Sequence, residues 1–126
     1  MGQSQYSFSK AEKLTGKKKI EELFNNGSSF YLNTFRVKYL ASEEECHRIL
    51  ISVPKKNFKR AVDRNLLKRR IREAYRLNKS IIDNTDGSHF YIAFIYLSKS
   101  ILTFHEIQDQ LIESLKRLDS LEEKKN

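Results

Sequence analysis

KRAVDRNLLKRRIREAYR, residues 59–76, carries two patterns at once. Laid out at about 100° per residue, Leu67, Ile71, Ala74 and Tyr75 fall within one arc of about 100°. Asn65, Lys68, Arg69, Arg72 and Arg76 fall on a separate arc of similar width. The first arc predicts a stripe docked on a core, and the second an exposed cationic ridge. The spacing predicts a helix from Arg60 to about Lys79.

The segments on either side read as strands. HRILISV, 47–53, is apolar and β-branched, and Pro54 ends it. HFYIAFIYL, 89–97, is apolar on both faces, which fits a central strand covered on both sides. NTDG, 84–87, is a turn before it. Upstream, SSFYLNTFRVKYL gives one or two strands, with Phe35, Val37 and Tyr39 alternating against Arg36, Lys38 and Leu40. The acidic SEEEC segment is a turn. A first helix lies in GKKKIEELFNNG, where Ile20, Leu23 and Phe24 follow i, i+3, i+4 spacing and Gly27 stands at the C′ position. A last helix begins at Thr103, which forms a capping-box pattern with Glu106. Phe104, Ile107, Leu111, Leu115 and Leu118 supply its buried stripe. The order helix, two or three strands, basic helix, strand, helix puts helices on a small sheet and predicts an α+β or α/β sandwich, with a four-stranded α+β fold in the order αβββαβα as the expected form. One domain is expected over 1–126, with its core at about 14–118 and loose tails at 1–13 and 119–126.

The net charge of +8 is not spread evenly. Between Lys55 and Lys79 there are 11 Lys and Arg against two acids, whereas the rest of the chain carries 13 basic and 14 acidic residues. The entire excess therefore lies in and just before the basic helix. Arg64, Lys68 and Arg72 stack at i, i+4 spacing, a repulsion of a few tenths of a kcal/mol per pair in an isolated helix. An anionic partner relieves it. A membrane-surface helix needs its apolar face for lipid, and this helix needs that face for its own core. Arginine outnumbers lysine from position 60 onward, and its planar fork suits phosphate and stacks on bases. Nucleic acid is the expected partner, and no membrane association or obligate protein partner is expected. A DNA-binding module and a ribosomal-protein-like RNA binder share this ridge.

Other classes find little support. No apolar run approaches the roughly 18 residues of a membrane span, and the N-terminus lacks the apolar core of a signal peptide, so a cytoplasmic location is expected. Cys46 is the one cysteine and has no partner for a disulfide or a thiolate metal site. His47, His89 and His105 share no motif, and Asp83 and Asp86 read as turn formers. No catalytic constellation of clustered carboxylates or paired histidines emerges.

At the basic helix the sequence resembles the signature of the bacterial ribonuclease P protein family. Ala61-Val62, Arg64-Asn65, Lys68-Arg69 and Arg72-Glu73 stand where that signature has Ala-Val, Arg-Asn-Arg, Lys-Arg and Arg-Glu. ISVPKK resembles the family's preceding strand end, and the pattern from Leu14 to Gly27 resembles its first helix. The third residue of the Arg-Asn-Arg core is Leu66 here, so one phosphate-binding cation is missing, with Arg69 and Arg70 as neighbours to replace it.

The resemblance implies a ribonuclease P protein-like fold with a left-handed βαβ crossover. It implies an accessory subunit of an RNA-based endoribonuclease that trims the 5′ leader from precursor tRNA. In that reading the catalyst is RNA, Mg²⁺ serves the holoenzyme without a dedicated protein site, and the protein allows cleavage at lower Mg²⁺. Arg60, Arg64, Asn65, Lys68, Arg69, Arg72 and Arg76 are then expected to bind the catalytic RNA. Ile20, Phe24, Phe35, Lys38, Lys55 and Lys56 are expected to line the groove for the single-stranded leader. The family often has aromatic residues at the positions of Ile20 and Lys38, and Lys38 is placed to hold a phosphate instead.

Overall fold

The chain divides its apolar residues between the two faces of one sheet, and this division positions everything else. The computed structural model describes residues 12–83 and 89–124. Their order is α1 (Lys17–Asn26), β1 (Ser28–Tyr31), β2 (Phe35–Ser42), β3 (Arg48–Ser52), α2 (Ala61–Asn78), a short 3-10 turn (Lys79–Ile82), β4 (His89–Tyr96) and α3 (Phe104–Lys124). The strands lie in the order β1-β2-β4-β3. β1–β2 and β2–β4 pair antiparallel, and β3–β4 pair parallel across α2. The expected turn at 84–87 lies outside the described residues.

On one face, Phe35 and Val37 of β2, Ile49 of β3 and Phe90, Ile92, Phe94 and Tyr96 of β4 form the main core with α2 and α3. α2 contributes Leu67, Ile71, Ala74 and Tyr75, all buried as their arc requires. α3 contributes Ile107, Leu111, Leu115 and Leu118. On the other face, Leu23 of α1 packs with Leu14, Tyr91 and Ala93, backed by Ile20, Leu40 and Leu50. β4 is therefore covered on both sides, as its unbroken apolar run implies.

Local chemistry fixes the ends. The Thr103–Glu106 capping box forms in both directions: the Thr103 N–H donates to Glu106 Oε1 at 3.0 Å, and the Glu106 N–H donates to Thr103 Oγ1 at 3.2 Å. α3 runs on to Lys124, beyond the expected core edge at 118. The Leu14 N–H donates to the Ile49 carbonyl at 2.8 Å beside a parallel bridge between Lys13 and Ile49, so strand pairing begins just before the expected edge at 14. Gly27 follows α1 but not in the left-handed conformation common after helices, since its φ is −76°. Its reason is close approach: a Cβ there would lie 2.4 Å from the Leu23 carbonyl oxygen and 2.8 Å from that of Tyr39.

His47 ties the acidic turn to both ends of the connection around β4. It is 5% exposed. Its Nδ1 accepts from the Phe90 N–H at 3.0 Å, which leaves the proton on Nε2 to donate to the Ile82 carbonyl at 2.8 Å. Burial holds its pKa below the ordinary 6.5, and the neighbouring His89 acts the same way; the Ile82 carbonyl, Asp83 and Glu12 oppose. The neutral ring is thus the folded form. Its stabilisation is complete above about pH 6.5 and is lost as pH falls from there toward the folded pKa, because only the unfolded chain takes up the proton. Denaturant titrations from pH 7.5 to 5 are expected to show this decline in the wild type and a flatter profile in His47→Gln. The lowered carboxyls of Glu44, Glu73 and Glu106 act only below about pH 4.5 and do not confuse the result.

Candidate nucleic-acid interface

α2 presents its second arc to solvent. Asn65, Arg69 and Arg72 are exposed, Lys68 is half-buried, and Arg60 is exposed at the residue before the helix. Two of the expected ridge arginines have other attachments. Arg64 Nη1 donates to the Phe58 carbonyl at 2.7 Å and the Lys59 carbonyl at 2.9 Å, so it clamps the incoming loop to the first turn. Arg76 makes a two-pronged pair with Glu73, from Nε at 3.0 Å and from Nη2 at 2.6 Å. That pairing pulls the Glu73 carboxyl down and the Arg76 guanidinium up. The ridge's unclamped chemistry is therefore concentrated at Arg60, Asn65, Lys68, Arg69 and Arg72. Arg70 turns away and donates to the Leu102 carbonyl in the β4–α3 loop. It is no replacement for the cation missing at Leu66, and Arg69 is the exposed neighbour that remains. Lys68 and Arg72 also border a cleft with Lys13, Leu14 and Thr15 along β3.

The α1 face of the sheet is a second surface. α1 covers Tyr91 and Ala93, whereas Ile95, farther along the same side of β4, is only half-buried. At the margin of this cover Phe24 is 38% exposed. Lys38 Nζ stands 5.8 Å from its ring centroid, although the Lys38 residue as a whole is only 7% exposed. The pairing combines an aromatic face with a cation. Lys55 and Lys56 are exposed after the end of β3. Ile20 is half-buried and packs against the α1-side cluster, so it supports the surface more than it lines it.

Phe35 corrects the expected groove. It is 0% exposed and lies in the main core, edge-on to Phe94 at 6.0 Å and to Tyr96 at 6.1 Å. Side chains alternate along a strand, so Phe35 and Lys38, three residues apart, point to opposite faces. The leader set therefore loses Phe35.

The sheet puts other residues there instead. Tyr31 of β1 is directly opposite Arg36 of β2, on the same face as Lys38. With Pro54, Lys56, Asn57, Ile95 and Lys99 they line an open cleft. Sequence reading missed Tyr31, Arg36 and Lys99. The alternation in FRVKYL places Arg36 with Lys38, but the register that brings β1 alongside is a tertiary fact.

Among the described residues no three His, Cys, Asp or Glu side chains gather where they would hold a metal ion, and no helix is long and apolar enough to cross a membrane. A basic ridge on one surface and rings paired with cations on another are the chemistry of RNA contact.

The family described as Ribonuclease P matches residues 8–119. The Ribonuclease P protein component of Porphyromonas gingivalis is 36% identical over 121 residues, covering 90% of this chain and 87% of that one. That of Petrotoga mobilis is 32% identical over 117 residues, covering 90% and 97%. The solved RNase P protein of Staphylococcus aureus superposes with a TM-score of 0.73 at 30% identity, over 86% of this chain and 96% of that one. The Thermotoga maritima protein gives 0.72 at 30%, over 84% and 96%. The chain thus belongs to the bacterial ribonuclease P protein family, the protein component of a tRNA-processing ribonucleoprotein.

Proposed function

We propose that this chain binds the ribonuclease P RNA through the α2 ridge and the 5′ leader of precursor tRNA along the α1 face of the sheet. The observation that carries this reading is the separation of two chemistries. Cations without interleaved rings lie on α2, which suits a phosphate backbone. The Phe24–Lys38 pair lies on the sheet, which suits unpaired bases. The phosphodiester is cut by the RNA, and Mg²⁺ belongs to the RNA. The protein's contribution is to hold the leader and neutralise phosphates, which lowers the Mg²⁺ concentration the RNA requires. The holoenzyme is expected to work in the cytoplasm.

The test is precursor-tRNA cleavage by a bacterial ribonuclease P RNA at low Mg²⁺, with and without this protein. Cleavage only with both present supports the reading. Tight binding to the RNA with no gain in cleavage at any Mg²⁺ points to a structural RNA binder. Cleavage by the protein alone overturns the assignment of catalysis to RNA.

A further inference from the structure

Arg36 and Tyr31 repeat the Phe24–Lys38 arrangement two residues farther along β2. The Arg36 guanidinium carbon is 5.6 Å from the Tyr31 ring centroid, and Tyr31 is 62% exposed. Along a strand, two residues span about 7 Å, so the two ring-and-cation pairs are successive stations on one face. Three further observations separate this pair from ordinary surface packing. Arg36 Nε is buried and has no hydrogen-bond partner among the described residues. A buried guanidinium N–H in that condition is costly unless something else accepts from it. The cleft beside it adds the ammonium groups of Lys56 and Lys99 and no carboxylate. The apolar floor there, Ile95, is left half-open by α1.

We infer that Tyr31 and Arg36 form a second stacking station for an unpaired nucleotide of the leader, separate from Phe24 and Lys38. This rests on the leader reading above. Tyr31 takes the base on its open face. Arg36 contacts the sugar-phosphate with its guanidinium, and Lys56 and Lys99 screen the adjoining phosphates. Stacking of this kind tolerates any base, so the station sets which leader position is gripped and not which base it carries. Unpaired nucleotides of the catalytic RNA have the same chemistry, and the experiment separates the two sources.

The experiment uses the reconstituted holoenzyme and precursor tRNA with a single-stranded leader of about eight nucleotides, within the span that stacking grooves cover. Each leader position is replaced in turn by an abasic nucleotide, and binding is measured for wild type, Tyr31→Ala, Tyr31→Phe and Phe24→Ala. In the wild type, one abasic position is expected to weaken binding roughly fivefold to tenfold because the stack on Tyr31 is gone. Tyr31→Ala is expected to show that same loss on the intact leader and no further loss at that position. Tyr31→Phe keeps the wild-type profile. Phe24→Ala loses sensitivity at a different position. Because Tyr31 is exposed, the alanine variant is expected to melt at the wild-type temperature. If Tyr31→Ala keeps full sensitivity everywhere while Phe24→Ala does not, the second station is wrong and the leader reading stands. If no position couples to either residue, the leader reading falls with it. If Tyr31→Ala weakens binding of the catalytic RNA alone, the nucleotide belongs to that RNA and the leader assignment is overturned.

Discussion

Phe35→Ala is expected to lower the unfolding free energy by about 3–5 kcal/mol, the range for emptying a buried aromatic site. Whole domains hold only about 5–15 kcal/mol, so this one change brings the chain close to unfolding. The ring has nowhere to relax: Phe94 and Tyr96 meet it edge-on from the neighbouring strand, and the space around it belongs to the core shared with α2 and α3. Equilibrium denaturation against Phe35→Leu, which refills much of the volume, measures the effect. Were Phe35 on the same face as Lys38, alanine would leave the midpoint in place. That outcome would reject the parity argument that put Phe35 and Lys38 on opposite faces.

Arg69→Ala combined with Arg72→Ala is expected to weaken binding of the catalytic RNA by roughly tenfold or more. It should also flatten the dependence of log affinity on log salt by up to about 0.9 for each phosphate that is no longer neutralised. Both residues are exposed on α2, so the fold is expected to survive. Two neighbours serve as internal controls. Arg70→Ala removes a bond to the Leu102 carbonyl and is expected to change stability without changing the salt slope. Arg76→Ala releases Glu73 from its pair, so the ridge loses a cation and gains an unpaired anion close by. Filter binding across a salt series reads all three. An unchanged slope for the double variant means that the ridge does not meet phosphate.

How far the sequence carried the fold depends on which interactions are local. The α2 stripe is a helical period written in 18 consecutive residues, and Leu67, Ile71, Ala74 and Tyr75 are buried as that period requires. The capping box at Thr103 and the two-sided burial of β4 are equally local signals. The groove was less legible. The family resemblance puts Phe35 with Lys38 on the strand facing the groove, yet strand alternation alone is enough to separate them. Tyr31 has no local signal at all, because only its pairing opposite Arg36 gives it a role. The position of Gly27 was readable, but its full cause was not, since the crowding comes from Leu23 of the preceding helix and also from Tyr39 on another element. For the ridge, the sequence counted cations correctly and could not tell that Arg64 and Arg76 are engaged elsewhere.

The parallel pairing of β3 with β4 bears on how this molecule is made. β4 is the sheet's middle, but it is synthesised after β1, β2, β3 and α2. Of the nineteen buried residues of the main core, eight lie at or beyond Phe90. A nascent chain that has emerged only as far as the end of the basic helix has β2 and β3 with nothing between them and an apolar helical stripe with nothing beneath it. Such a topology delays folding until late in translation and favours slow, long-range closure over local assembly. During that interval the cationic helix is already outside the ribosome, beside an abundance of RNA, while its other side is still bare.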